Sequence, residues 1–171
     1  MKGETFENYR ARMLRVLSHI QKNLDGALSL EELAAVAYFS PFHFHRIFRG
    51  LIGESVKEHV RRLRLERAAH RLRHSGQPVT EIALDAGYQT LESFTRAFHR
   101  MFGQSPTEFR ARRGVIAYGP APSGVHFVAG GALDSFHPAS GKAQPLDVRI
   151  ERLPEMRVAF VRHVGPYEET G

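Results

Sequence analysis

Two short stretches place side chains able to read a nucleic-acid base edge at matching positions. Residues 41–51 carry Phe42, His43, His45, Arg46 and Arg49 around Phe44 and Phe48; residues 90–102 carry Leu91, Glu92, Ser93, Thr95, Arg96 and Arg100 around Phe94 and Phe98. Phenylalanines four apart share one helix face, so each pair should pack inward and turn the remaining residues outward. A guanidinium can donate two bonds to guanine O6 and N7, which makes Arg46 and Arg96 the strongest candidates for base contact. His43, His45, Ser93 and Thr95 add shorter donors, and Phe42 and Leu91 can touch a thymine methyl. Glu92 either accepts from cytosine N4 or repels phosphate. Arg49 and Arg100, one turn further along, suit phosphate, as do Ser40 and Thr90 at the starts of the two stretches. The arginine run at 61–73 reads either as a solvated face or as a source of phosphate contacts from Arg61, Arg62 or Arg64; Arg61 and Arg62 are assigned that role. An ion pair between Arg46 and Glu32 is the structural alternative for Arg46.

These stretches belong to a longer internal repeat. Leu33, Ala34, Ala37 and Phe39 match Ile82, Ala83, Ala86 and Tyr88 at an offset of 49, and Phe44, Arg46, Phe48, Gly53 and Ser55 match Phe94, Arg96, Phe98, Gly103 and Ser105 at an offset of 50. One residue is therefore inserted between the halves of the second copy, where a turn should lie. A repeated helix–turn–helix in a basic segment points to two DNA-reading units in one polypeptide.

The elements that position these residues follow from spacing and caps. Phe6, Tyr9, Met13, Val16, Leu17 and Ile20 predict a helix over 6–22. Ser29 and Glu32 predict a capping box opening a helix that ends near Ala37, and Ser40-Pro41 opens the next. A second box, Ser55 with Glu58, opens a long helix to about His74. Helices at roughly 79–86 and 90–102 follow, and Ser105 with Glu108 caps a last one ending near Arg112. The fold class is mainly α: seven helices forming a tandem helix–turn–helix domain over 1–113, in which units 6–54 and 76–112 are joined by the helix 55–74. That helix, at about 1.5 Å per residue, spans roughly 30 Å, against about 34–36 Å for one turn of B-DNA. A monomer can then set both recognition helices into successive major-groove segments, with DNA bending as a corollary.

Composition agrees. Residues 1–113 hold 19 Lys and Arg against 12 Asp and Glu, whereas 114–171 hold 5 against 6. A basic first two-thirds suits a polyanion. There is no cysteine, which excludes disulfides and thiolate metal sites. No uncharged apolar stretch approaches 18 residues and the start lacks a signal pattern, so a cytoplasmic protein without a membrane partner is expected. No nucleophile–base pair, metal spacing or phosphate loop emerges, so neither an enzyme nor a cofactor is expected. From Gly114 to Pro145, 10 of 32 residues are Gly or Pro, which reads as linker or irregular loop and is expected to be mobile. Residues 146–153 and 156–164 alternate as strands do and predict a short C-terminal β-hairpin, too little for a stable sheet.

The motifs SPFHFHRIFRGLIGES, RRLRLERAAHRLRHS, PVTEIALDAGY and SFTRAFHRMFGQSPTEFR, together and in order, resemble the DNA-binding domain of the AraC/XylS family of bacterial transcription regulators over roughly residues 8–113. The resemblance implies two helix–turn–helix subdomains on a long helix, binding double-stranded promoter DNA and usually activating transcription, with RNA polymerase as a further partner. It places groove-facing roles on Phe42, His43, His45 and Arg46, and on Leu91, Glu92, Ser93, Thr95 and Arg96. One departure stands out: Tyr38 occupies the turn position that the second copy gives to Gly87. The tail PLDVRIERLPEMRVAFVRHVGPYEETG is similar to the opening of the gyrase-inhibitor-like (GyrI-like) effector-binding domain, so 146–171 is expected to be its truncated start. That likeness implies a small-molecule effector in a full-length form, and an effector-sensing or protein-inhibiting module is the alternative function.

Overall fold

The computed structural model describes residues 2–112 and 114–139; the hairpin expected over 146–164 lies outside the described residues. Among the described residues seven helices follow one another: α1 (Lys2–Lys22), α2 (Leu30–Val36), α3 (Pro41–Ile52), α4 (Val56–His74), α5 (Val79–Asp85), α6 (Leu91–Phe102) and α7 (Pro106–Ala111). Five of the helices start at a hydroxyl cap. Ser29, Ser40, Ser55, Thr90 and Ser105 each accept a bond from the backbone N–H three residues on, satisfying a donor that the first helical turn leaves open. The boxes at Ser55/Glu58 and Ser105/Glu108 are complete. The expected box at Ser29 is only half made, because the Glu32 carboxylate turns to His19 Nε2, 2.8 Å away. The first helix begins before residue 6, and Phe6 stays 44% exposed outside the core.

Two hydrophobic cores share one helix. Met13, Val16, Leu17 and Ile20 of α1 close over Leu33, Phe44 and Phe48, against Val56, Val60 and Leu63 from the first half of α4. Leu65, Ala68, Ala69 and Leu72 from its second half pack with Ile82, Phe94, Phe98 and Phe109. Both inward phenylalanine pairs are fully buried, as their spacing requires. The inserted residue of the second copy falls in the turn: α2 and α3 are separated by residues 37–40, α5 and α6 by 86–90.

The segment after α7 corrects the expectation of a mobile linker. Residues 114–139 form no regular element, as their composition suggests, yet they run back as a strap over the first unit. Val125 and Phe136 enter its core at 3% exposure each, and Ser123 is buried. The strap also satisfies polar groups that would otherwise be stranded. Gln21 Nε2 donates to the His126 carbonyl (2.7 Å) while its Oε1 accepts from Val128 N–H (3.3 Å). Glu66, with no exposed surface, accepts from Phe127 N–H (2.7 Å), lies 3.0 Å from His126 Nδ1 and pairs with Arg62 (3.0 Å). A buried carboxylate is tolerated only when fully partnered in this way. Composition hid the strap because its apolar anchors are isolated and follow no period.

Candidate nucleic-acid interface

The candidate recognition surface lies on α3 and α6, each preceded in its unit by another helix. On α3, Phe42, His43, His45, Arg46 and Arg49 are exposed while Phe44 and Phe48 face the core. Phe42 is 75% exposed, with the Arg46 guanidinium 6.0 Å from its ring centroid. The alternative of an Arg46–Glu32 pair is not what forms, since Glu32 is taken by His19. The His43 ring lies 5.1 Å from Phe39 and 6.0 Å from Tyr9, which steadies it against α1. On α6, Leu91, Glu92, Arg96 and Arg100 are exposed. Glu92 and Arg96 pair at 3.4 Å on the open surface, a contact worth only about 0.2–0.5 kcal/mol and easily exchanged for another anion. Ser93 and Thr95 are half-buried. The Ser93 hydroxyl donates to the Thr90 carbonyl and accepts from Thr90 Oγ1, both at 2.9 Å.

The two turns share one hydrogen-bond pattern. Phe39 N–H reaches the Ala34 carbonyl (2.9 Å) and Tyr88 N–H the Ala83 carbonyl (3.0 Å), each closing a left-handed residue. That residue is Tyr38 in the first unit, at φ 55°, and Gly87 in the second, at φ 84°. Arg12 donates to the Tyr38 carbonyl (3.3 Å) and Arg15 sits 5.5 Å from its ring.

Between the units lies a groove of about 640 Å³ whose walls include His45, Lys57, Val60, Arg61, Arg64 and Tyr88. Its basic wall is a stripe of α4, because residues 57, 61 and 64 recur on one face at 100° per residue. Lys57, exposed at the groove edge, was missed in the sequence, although this i, i+4, i+7 spacing signals it. Burial raises the pKa of the Tyr88 phenol, with Arg61 and Arg100 opposing.

The opposite face of α4 carries Arg62, Glu66 and His70, and the strap covers it. Arg62 binds Glu54 (2.5 Å), Glu66 (3.0 Å) and the Val125 carbonyl (2.8 Å). These internal partners correct its assignment to phosphate. Arg61, one residue earlier, remains exposed on the groove side. Burial alone would raise Glu54, but bonds from His59 and Arg62 outweigh it and hold the carboxyl at about 2. Burial lowers His59, whose Nδ1 lies 2.7 Å from Glu54 Oε1.

This architecture has relatives. A family model described as a helix-turn-helix domain matches residues 33–112. The chain is 30% identical over 97 residues to the regulatory protein SoxS of Escherichia coli, covering 57% of this chain and 91% of SoxS. A solved structure of the DNA-binding domain of AdpA, a global transcriptional factor, in complex with a target DNA, superposes with a TM-score of 0.51 at 31% identity, over 56% of this chain and 86% of that one. The chain belongs to the AraC family of helix-turn-helix transcription regulators. The transcriptional regulator Rob of Salmonella typhimurium is 34% identical over 107 residues, 63% of this chain, and the match spans only 37% of Rob's length. The strap from 114 onward lies outside the region matched by the family model. Among the described residues no helix is long and apolar enough to cross a membrane.

Proposed function

We propose that this AraC-family chain binds double-stranded promoter DNA sequence-specifically as a monomer and regulates transcription. Phe42, His43, His45 and Arg46 read one major-groove segment, and Leu91, Glu92, Ser93, Thr95 and Arg96 the next. Ser40, Arg49, Arg61, Thr90 and Arg100 hold phosphate, with Lys57 added to that set. The observation that supports this best is the common support of the two exposed recognition surfaces. Both cores are built on the 19-residue α4, about 28 Å long, close to one helical turn of DNA. Activation through RNA polymerase, in the cytoplasm, completes the reading. The likeness of the segment from 146 onward to a GyrI-like domain supports a small-molecule response as a second reading.

Selection from a random duplex library identifies the site. Arg46→Ala and Arg96→Ala should then each lose about 1–3 kcal/mol on selected DNA and less on scrambled DNA. Equal losses on both DNAs would refute base reading by these arginines.

A further inference from the structure

Hydrophobic burial attaches both units to α4, but it is non-directional and tolerates small rotations of one unit against the other. A second set of contacts fixes direction. Arg64, Arg67 and Arg71 project from α4 toward the seam where the loop after α1 meets the end of α5. Arg64 donates from Nε to the Leu24 carbonyl (2.8 Å) and from Nη2 to the Gly26 carbonyl (2.7 Å). Its Nη1 lies over Gly87, only 2.9 Å from where a Cβ would stand. Arg67 joins the units through one guanidinium: Nη1 meets Asp25 Oδ1 at 2.8 Å and Nη2 donates to the Asp85 carbonyl at 2.8 Å. Arg71 binds the Asp85 carboxylate and stands 3.9 Å from Asp25 Oδ1.

The chemistry suits alignment. A guanidinium is a rigid planar fork whose bonds lose geometry when a partner rotates, unlike packed methyl groups. Asp25 belongs to the first unit; in the second, Asp85 ends α5 and Gly87 lies in the turn between α5 and α6. Rotation of the second unit's α5 end against the loop after α1 therefore strains the bonds at Arg67 or moves Arg64 off Gly87. For two linked binding modules, overall affinity depends on how often the linkage presents both at the required span.

We propose that the Arg64–Arg67–Arg71 stripe, closed by Asp25 and Asp85, is a positioning clamp that sets which spacing between two half-sites the protein accepts. This deepens the two-reader function above and rests on it. The clamp residues need not touch DNA.

Asp25→Ala tests this against the ordinary electrostatic expectation. Asp25 is 69% exposed, and deleting an acidic residue from a DNA-binding protein should by charge alone strengthen binding. The clamp predicts the reverse on the selected two-site duplex, a loss of about tenfold, with no loss on a duplex whose second half-site is scrambled. The wild type's preference for native spacing over duplexes with one or two inserted base pairs should flatten in the variant. Arg67→Met, which keeps an apolar stem, should do the same.

A readout without DNA separates the clamp from the reading beneath it. The chain has no cysteine, so Glu31→Cys on α2 and Glu81→Cys on α5, both exposed, give unique sites for a spin-label pair. Asp25→Ala should broaden the interlabel distance distribution. An unchanged width together with an unchanged spacing profile overturns the clamp. A wild type with a narrow distribution that binds two-site DNA no better than one half-site would instead remove the two-reader function, and the spacing role with it.

Discussion

The first helix–turn–helix unit turns on a tyrosine and the second on a glycine, although both turns have the same hydrogen bonds and both residues are left-handed. A side chain in that region costs about 1–2 kcal/mol. Tyr38 meets this cost in open space, with its ring outward and its carbonyl held by Arg12. Gly87 has less room, because a Cβ there would stand 2.9 Å from Arg64 Nη1 and the guanidinium would have to shift. The second turn thus favours glycine by its backbone and by its neighbour, the first by its backbone alone. The units differ also in how their cores are closed. The second fills its own with aromatic contacts: Phe98 lies 4.5 Å from Phe102 and 5.2 Å from Phe109. The first borrows Val125 and Phe136 from the strap.

The largest effect should come from breaking each closure separately. Phe136→Ala and Phe109→Ala should each cost about 3–5 kcal/mol, measured by urea denaturation. Hydrogen exchange should locate the damage in α1–α3 for the first and in α6–α7 for the second. Uniform loss of protection in both variants would mean that the units do not differ in this respect.

Acid should separate the units without mutation. Glu54 titrates at about 2 in the folded state, so its stabilising contribution is complete above about pH 4.5 and is lost as pH falls from there towards 2. Buried His59, lowered below its ordinary 6.5, acts in the same direction, since unfolding lets it take a proton as pH falls through that value. Amide protection across α3 and the start of α4 should therefore fade before that of α6. Glu54→Gln should abolish the carboxylate part of that slope.

Next in size are the turns. Gly87→Ala should destabilise by about 1–2 kcal/mol from backbone strain alone, and more through displacement of Arg64. Tyr38→Gly should lose little or gain up to about 1 kcal/mol, relief of strain being offset by a more flexible unfolded chain. Thermal unfolding of both proteins checks the contrast. The smallest effect belongs to Glu92→Gln. Freeing Arg96 and removing a like charge from phosphate should tighten DNA binding by about 0.5 kcal/mol, and a weaker complex would show Glu92 reading a base.

Local structure was legible in the sequence because its causes are local. Ser40, Ser55 and Ser105 mark their helices through bonds three residues away, and paired phenylalanines four apart define each inward face. The arginine run was not legible, because Arg61, Arg62 and Arg64 have the same propensities and differ only in what the fold brings to them. Arg62 meets Glu54 and Glu66, Arg64 meets two carbonyls from 40 and 38 residues away, and Arg61 remains exposed. Glu32 misled for the same reason, since its partner His19 lies 13 residues back. Of the candidate base-contact residues, Arg46 and Arg96 are exposed, as the helical period alone implies, whereas the half-burial of Ser93 and Thr95 depends on how α6 seats in its unit.

The strap has a further consequence, for the order in which the chain acquires its structure. Domains emerging during synthesis generally fold from the N-terminus onward, at about 5–20 residues per second. Here the first unit cannot finish until Val125 and Phe136 have been made, after the whole of the second unit. The second unit, whose core ends at Phe109 with Ile116 packed against it, can close earlier. Synthesis thus completes the later unit first. Until residue 136 clears the ribosome, the N-terminal unit waits with Glu66 unpartnered by the strap and its core open to water.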